Sequence, residues 1–255
     1  MLRPAPSVGY PPESAVQSAA PVSTRRPLEG ASDLILVPVF DQRAVEQQMA
    51  LAAAAKDSGV ERIHLLSASG ADARSPVTLL RWIGLIEREV VATALPHTLL
   101  RCMPYMQTIP LFLHRDAASW RIVGPFRDAA FAWLDAFDAG EVVARRITIG
   151  ARDTVTCELS GPAEASFGAV ADLLAAELRE PVRYVDICQP EAEGMLEAKG
   201  LPRSRIRAIT EYWDYLASGV LRCGCCAGAE QLLGRPRRTL AEYLREYAAE
   251  LRQAA

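Results

Sequence analysis

The chain has 255 residues, half of them hydrophobic, with 28 Lys plus Arg against 31 Asp plus Glu and a formal charge of −3. That length holds one generous domain with a proper core, and the near-balance of charge excludes a chain built to coat nucleic acid and an acidic disordered tail. Lys56 and Lys199 are the only lysines. Neither follows a Gly-x-x-x-x-Gly, which excludes a Walker A phosphate loop, and no tyrosine has a lysine four positions on, which excludes a Tyr-x-x-x-Lys pair. Heavy use of Ala and Arg fits a high-GC bacterial genome.

Residues 1–27, rich in Pro, Ala and Ser, have no periodicity and read as an extended or mobile arm without a signal-type apolar run. Leu34–Val37 is a short apolar run stopped by Pro38, as in a strand buried on both faces. Asp41 caps a helix carrying Val45, Met49, Ala52 and Ala53, closed by Gly59. Val60–Leu66 is a second strand, Ser75–Pro76 starts a helix that runs to about Ala94, and His97–Arg101 is a third strand. This strand–helix alternation predicts a parallel α/β sheet. The second half is mixed. A helix is expected near Ala139–Ile147, a strand over Thr154–Leu159, and a Ser166-capped helix to about Leu178. Val182–Asp186 is a strand, Glu191–Lys199 and Arg203–Ser218 are helices, and Thr239 with Glu242 forms a capping box for the last helix.

Several segments resemble one family. SGVERIHLLSASGADARSPVTLLRWIGLIERE (58–89), LPHTLLRCMPYMQ (95–107), CELSGPAEASFGAVADLLAAELREPVRYVDI (157–187) and LLGRPRRTLAEYLREYAAE (232–250) are similar, in order and spacing, to the NmrA-like branch of the atypical short-chain dehydrogenases/reductases. The resemblance implies a Rossmann-like fold and an NAD(P)-dependent reductase. It also sets Leu34–Val37 against the family's fourth strand, so the sequence reads as N-terminally truncated. None of its sixteen glycines forms the family's phosphate turn, Gly-x-x-Gly-x-x-Gly or Gly-x-Gly-x-x-Gly. Where relatives often carry a Tyr, His or Lys, this chain has Arg81-Trp82-Ile83-Gly84. The expected fold is thus a truncated Rossmann-like parallel sheet flanked by helices, with a small mixed α/β C-terminal lobe. The division is 1–27 arm, 28–150 Rossmann-like part and 151–255 substrate lobe. Losing the family's first strands leaves Leu34–Val37 near a sheet edge, which the arm or a second copy of the chain is expected to cover.

In parallel α/β sheets ligands bind beyond the carboxyl ends of the strands. Phe40, Ser67, Ser69 and the stretch Met103, Tyr105, Met106 and Gln107 fall there, and Trp82, Tyr212 and Trp213 could close the same cavity. Each has a plainer reading. The serines fit an ordinary turn, and the aromatic and thioether side chains fit core packing. His114 is the histidine that suits acid–base work near neutrality, with solvated loop as the alternative, and Ser69 and Asp128 complete the candidate catalytic group. His64, mid-strand, reads as a buried, hydrogen-bonded residue. Cys223, Cys225 and Cys226 crowd together but lack a second ligand pair, so no metal site is expected.

The leading functional expectation is a cofactor-independent enzyme of bacterial secondary metabolism. It would be a cyclase, isomerase or dehydratase acting on a flat aromatic or polyketide-like small molecule, cytoplasmic and homodimeric, with no nucleic-acid or membrane partner. Two alternatives stand beside it: an NAD(P)H-dependent reductase of quinone oxidoreductase type, using NADP at an atypical nucleotide site, and a non-catalytic NmrA-type regulator.

Overall fold

The computed structural model describes residues 3–4, 28–39, 41–116, 119–221 and 229–254. The rest of the 1–27 arm, Phe40 and the cluster Cys223, Cys225 and Cys226 lie outside the described residues.

Strand β1 is Arg3–Pro4, β2 is Asp33–Leu36 and helix α1 is Gln42–Ala55. Asp41 caps α1 by accepting from the amides of Arg43 and Ala44, and Gly59, at φ +86°, turns the chain out of the short 3-10 turn that follows. Then come β3 (Arg62–Ala68), α2 (Thr78–Ala92) and β4 (His97–Cys102). A 3-10 segment, Met106–Phe112, leads into β5 (Leu113–Arg115) and β6 (Trp120–Gly124). After β7 (Ala130–Phe131) run α3 (Ala136–Thr148), β8 (Val155–Leu159), β9 (Ala165–Ser166), α4 (Phe167–Leu178) and β10 (Val182–Asp186). Helices α5 (Gln189–Ala198), α6 (Arg203–Ala217), α7 (Ala229–Leu233) and α8 (Leu240–Ala254) complete the chain.

The main sheet is parallel throughout, in the order β2-β3-β4-β8. Its middle strands are mostly buried because α1 and α2 cover one side and the larger core the other. A second sheet, β1-β5-β6-β10, pairs β10 parallel to β6, with the short β5 antiparallel between β6 and β1. Strands β8 and β10, both beyond residue 150, pair with β4 and β6 from before it, so the sheets cross the expected boundary between 28–150 and 151–255. Among the described residues β2 pairs only with β3, and Ile35 and Val37 are exposed beside it.

Helix α2 starts at Thr78 and not at Ser75. The Ser75 hydroxyl accepts from the Val77 amide, and the Arg81 guanidinium donates to the carbonyls of Ser75 and Pro76. Ser75 therefore closes a turn ahead of the helix. Gly84, inside α2, lets the loop after β3 lie on the helix, since a Cβ there would collide with the backbone of Asp72 and Ala73.

His64 is buried in β3 between Thr98 Oγ1 at 3.1 Å and Asp33 Oδ1 at 3.0 Å, and Arg62 clasps both oxygens of Asp33 at 2.7 Å. Among the described residues no helix is long and apolar enough to cross a membrane, and no group of His, Cys, Asp and Glu is arranged to hold a metal.

Candidate active site

The carboxyl ends of β2, β3 and β4 open into a cavity of about 360 Å³. Val37 and Pro38 follow β2, Leu66, Ser67 and Ala68 end β3, and Cys102, Met103, Pro104 and Tyr105 leave β4. Leu79 and Ile83 of α2 form one wall. An aromatic wall faces them. Phe126 and Phe167 stack at 4.7 Å, and Trp213 lies 5.3 Å from Phe112 and 5.8 Å from Phe126. Such walls favour flat conjugated ligands, because ring faces and edges meet them at van der Waals distance.

The side chains of Tyr105 and Cys102 are neighbours, and the Cys102 thiol donates to Leu100 O at 3.4 Å. Burial pushes the Cys102 thiol up to about 12. Burial likewise raises Tyr105 and Tyr212. Both phenols and the thiol thus stay protonated in neutral solution, so Tyr105 and Tyr212 can act as hydrogen-bond donors but not as bases.

The two serines are committed to carboxylates. Ser67 Oγ donates to Glu87 Oε1 at 2.5 Å and Ser69 Oγ donates to Glu158 Oε2 at 2.5 Å, while Arg101 bridges Glu87 and Glu158. Ser67 lines the cavity; Ser69 is buried but does not.

The cavity brings together Ser67, Met103, Tyr105, Tyr212 and Trp213 from the sequence-derived set. The others stand elsewhere. Trp82 points to the opposite side of α2, packed on the core under β2 and α1, because Leu79 and Ile83 take the cavity-facing stripe. Met106 is fully buried in the larger core. Gln107 ties the 3-10 segment to the start of α3, donating to Asp135 Oδ1 at 2.8 Å and accepting from the Ala136 amide at 3.0 Å. Asp128 is exposed in the turn where Arg127 adopts φ +50°. His114 is on β5, paired with Arg121 across the hairpin and outside the cavity lining. Burial, with Lys199 and Arg121 nearby, lowers its pKa, and its Nε2 is buried without a partner. No geometry joins His114, Ser69 and Asp128 into one catalytic group.

Sequence reasoning missed Lys199 and Arg205, both of which line the cavity. A detectable signal existed for the second. Arg205, Ile209, Tyr212, Trp213 and Leu216 recur at helical spacing, which sets an arginine on the apolar stripe of α6.

No family model matches the chain. An NAD(P)H azoreductase from Xenophilus azovorans is 29% identical over 227 residues, covering 87% of this chain and 77% of that protein. Among solved structures, an NADPH-dependent quinone oxidoreductase from Escherichia coli complexed with NADPH superposes with a TM-score of 0.73 at 22% identity, covering 88% of this chain and 79% of that one. The negative transcriptional regulator NmrA in complex with NAD superposes with a TM-score of 0.66 at 18% identity, covering 91% and 78%. These relatives overturn the expectation of a cofactor-independent cyclase, isomerase or dehydratase, and with it the cofactor-free reading, because the enzymes among them are named as NAD(P)H-dependent reductases. A sequence without the phosphate turn suggests lost redox chemistry, yet the similarity to the azoreductase covers 87% of this chain. The chain has the Rossmann-like α/β fold of the NmrA and quinone oxidoreductase structures, a parallel sheet flanked by helices.

Proposed function

We propose that the protein is an NAD(P)H-dependent reductase of flat, conjugated small molecules, with the cavity beyond β2, β3 and β4 as its substrate chamber. The observation that carries this reading is the aromatic-walled cavity at the carboxyl ends of parallel strands, in a chain similar to an azoreductase and folded like a quinone oxidoreductase.

The residues present do not fit the phosphate part of a dinucleotide. The glycine turn is absent from the sequence. Gly70, the left-handed glycine after β3, has the Tyr215 hydroxyl and Leu80 on its Cβ side, where a phosphate cradle would be open.

What the chain's own residues do is bind and orient. The apolar walls exclude water and strengthen the polar contacts that remain. Tyr105, protonated and at the cavity wall, offers its hydroxyl to a quinone oxygen or azo nitrogen as charge builds there. Ser67 is fixed by Glu87, so its oxygen lone pairs are what it can present to the cavity.

The test is calorimetric titration with NADPH and NADH, paired with loss of reduced-nicotinamide absorbance on adding a quinone or azo acceptor. Binding of one nucleotide and acceptor-dependent oxidation are expected. Absence of both would overturn the reading.

A further inference from the structure

Among the described residues, the lining of the cavity contains two cations, Lys199 and Arg205, and no aspartate or glutamate. A charge held in an apolar setting costs free energy unless it is paired. Elsewhere this chain pairs its arginines: Arg62 with Asp33, Arg101 with Glu87, Arg146 with Asp153 and Arg238 with Asp135.

The contrast is sharpest within α6. Arg203 and Arg207 are exposed and face Glu197 at 3.8 Å and Glu211 at 2.9 Å. Arg205, between them in sequence, turns inward onto the stripe of Ile209, Tyr212, Trp213 and Leu216. Its Nε is buried without a hydrogen-bond partner, and among the described residues no carboxylate lies within ion-pair distance of its guanidinium. Lys199, just past the end of α5, is in a similar position. Among the described residues its Nζ finds only the carbonyl of Leu111, at 3.5 Å, and Leu111 is itself a cavity residue. Although Lys199 is exposed as a residue, its ammonium is desolvated enough for its pKa to be lowered. Two cations with no acid partner among the described residues thus share one chamber whose remaining walls are mostly apolar and aromatic.

We infer that Lys199 and Arg205 form the anion-recognition end of the substrate cavity, and that the preferred substrate is a flat conjugated molecule bearing one carboxylate or sulfonate. The aromatic wall of Phe126, Phe167 and Trp213 takes the conjugated body, and the two cations take the charged substituent. Guanidinium and ammonium groups both donate to such oxygens, and the low local dielectric makes each bond stronger than it is in water. This inference rests on reading the cavity as the substrate chamber of the proposed reductase, but it does not need the nucleotide to be bound.

The test uses the full chain and two probes of one shape, azobenzene-4-carboxylate and its neutral isostere azobenzene-4-carboxamide. Quenching of tryptophan fluorescence, with Trp213 in the cavity wall, and calorimetry give the affinities. The carboxylate should bind at least about tenfold more tightly, a difference of about 1.4 kcal/mol. Lys199→Met and Arg205→Met should each remove most of that preference, and Lys199→Arg should keep it. Because Arg205→Met removes an unpaired charge, its melting temperature without ligand should be equal to or above that of the parent. Equal affinity for the two probes, or Met variants that weaken NADPH and not the carboxylate, would overturn the inference while leaving the reductase reading intact. Preference for the carboxylate with no nucleotide oxidation would support the inference and overturn the reductase reading. Failure of both probes to bind would overturn both.

Discussion

Ser67 Oγ donates a 2.5 Å hydrogen bond to Glu87 Oε1, and Arg101 clasps the same carboxylate at 3.0 and 2.7 Å. A cavity-lining serine from β3 is thereby locked to a buried glutamate of α2 and a guanidinium of β4. Arg101→Met leaves Glu87 buried without its cation and should cost about 3 kcal/mol of stability. Ser67→Ala removes one donor from a carboxylate that keeps Arg101 and should cost about 1 kcal/mol. Urea unfolding of the two variants checks the order; an equal loss in both would mean that the arginine clamp is not what holds Glu87.

Gly84→Ala should destabilise the chain by about 1–3 kcal/mol, because the new methyl meets the backbone of Asp72 and Ala73 and not a movable side chain. Ala elsewhere in a helix interior normally stabilises relative to Gly, so a raised melting temperature would contradict the close packing of this loop on α2.

The Asp33–His64 pair should make the protein less stable in acid, in two stages. Burial lowers the pKa of His64 from 6.5, despite the hydrogen bond to Asp33, so its contribution is present above that value and is lost as pH falls through the lowered one. Burial pulls Asp33 upward, but hydrogen bonds from Arg62, His64 and Ser32 together outweigh it and bring the carboxyl from 3.8 down to about 2. Its contribution is present above 3.8 and is lost on the way down to about 2. Melting temperatures measured from neutral pH to about 5 should fall. His64→Gln, whose amide reaches the same partners without titrating, should flatten that slope. An unchanged slope would place the proton uptake elsewhere.

Tyr105→Phe keeps the cavity's shape and removes its hydroxyl donor. Turnover of a quinone or azo acceptor should drop by about 10²-fold, the usual effect of losing one well-placed donor to a developing charge. Acceptor binding should change little. A variant with parental turnover would remove Tyr105 from the proposed chemistry.

The central strands were legible because β3 and β4 are mostly buried and each carries an apolar centre, Leu65–Leu66 and Leu99–Leu100, between helix signals. Asp41, Ser166 and the Thr239–Glu242 box marked helix starts because each side chain has one local job that sequence alone specifies. The hairpin of β5 and β6 was not legible. Leu113–Arg115 is three residues long and Trp120–Gly124 alternates over only five, so neither outweighs its loop neighbours. In the cavity, Ser67, Met103 and Tyr105 were readable from their place at or just past strand ends, whereas Trp82 falls elsewhere because sequence gives a helix two apolar stripes without saying which one faces the cavity. Lys199 and Arg205 were hidden for a different reason. In a chain so rich in arginine a single one carries no mark, and what singles out Arg205 is that no acid among the described residues pairs with it in three dimensions.

The most direct measurement is steady-state oxidation of NADPH and NADH by the full chain with azobenzene-4-carboxylate as acceptor. The expected result is nucleotide oxidation that requires both protein and acceptor, with loss of the azo absorbance. The contradicting result is an acceptor that binds, quenches tryptophan fluorescence, and leaves both nucleotides and the azo bond unchanged.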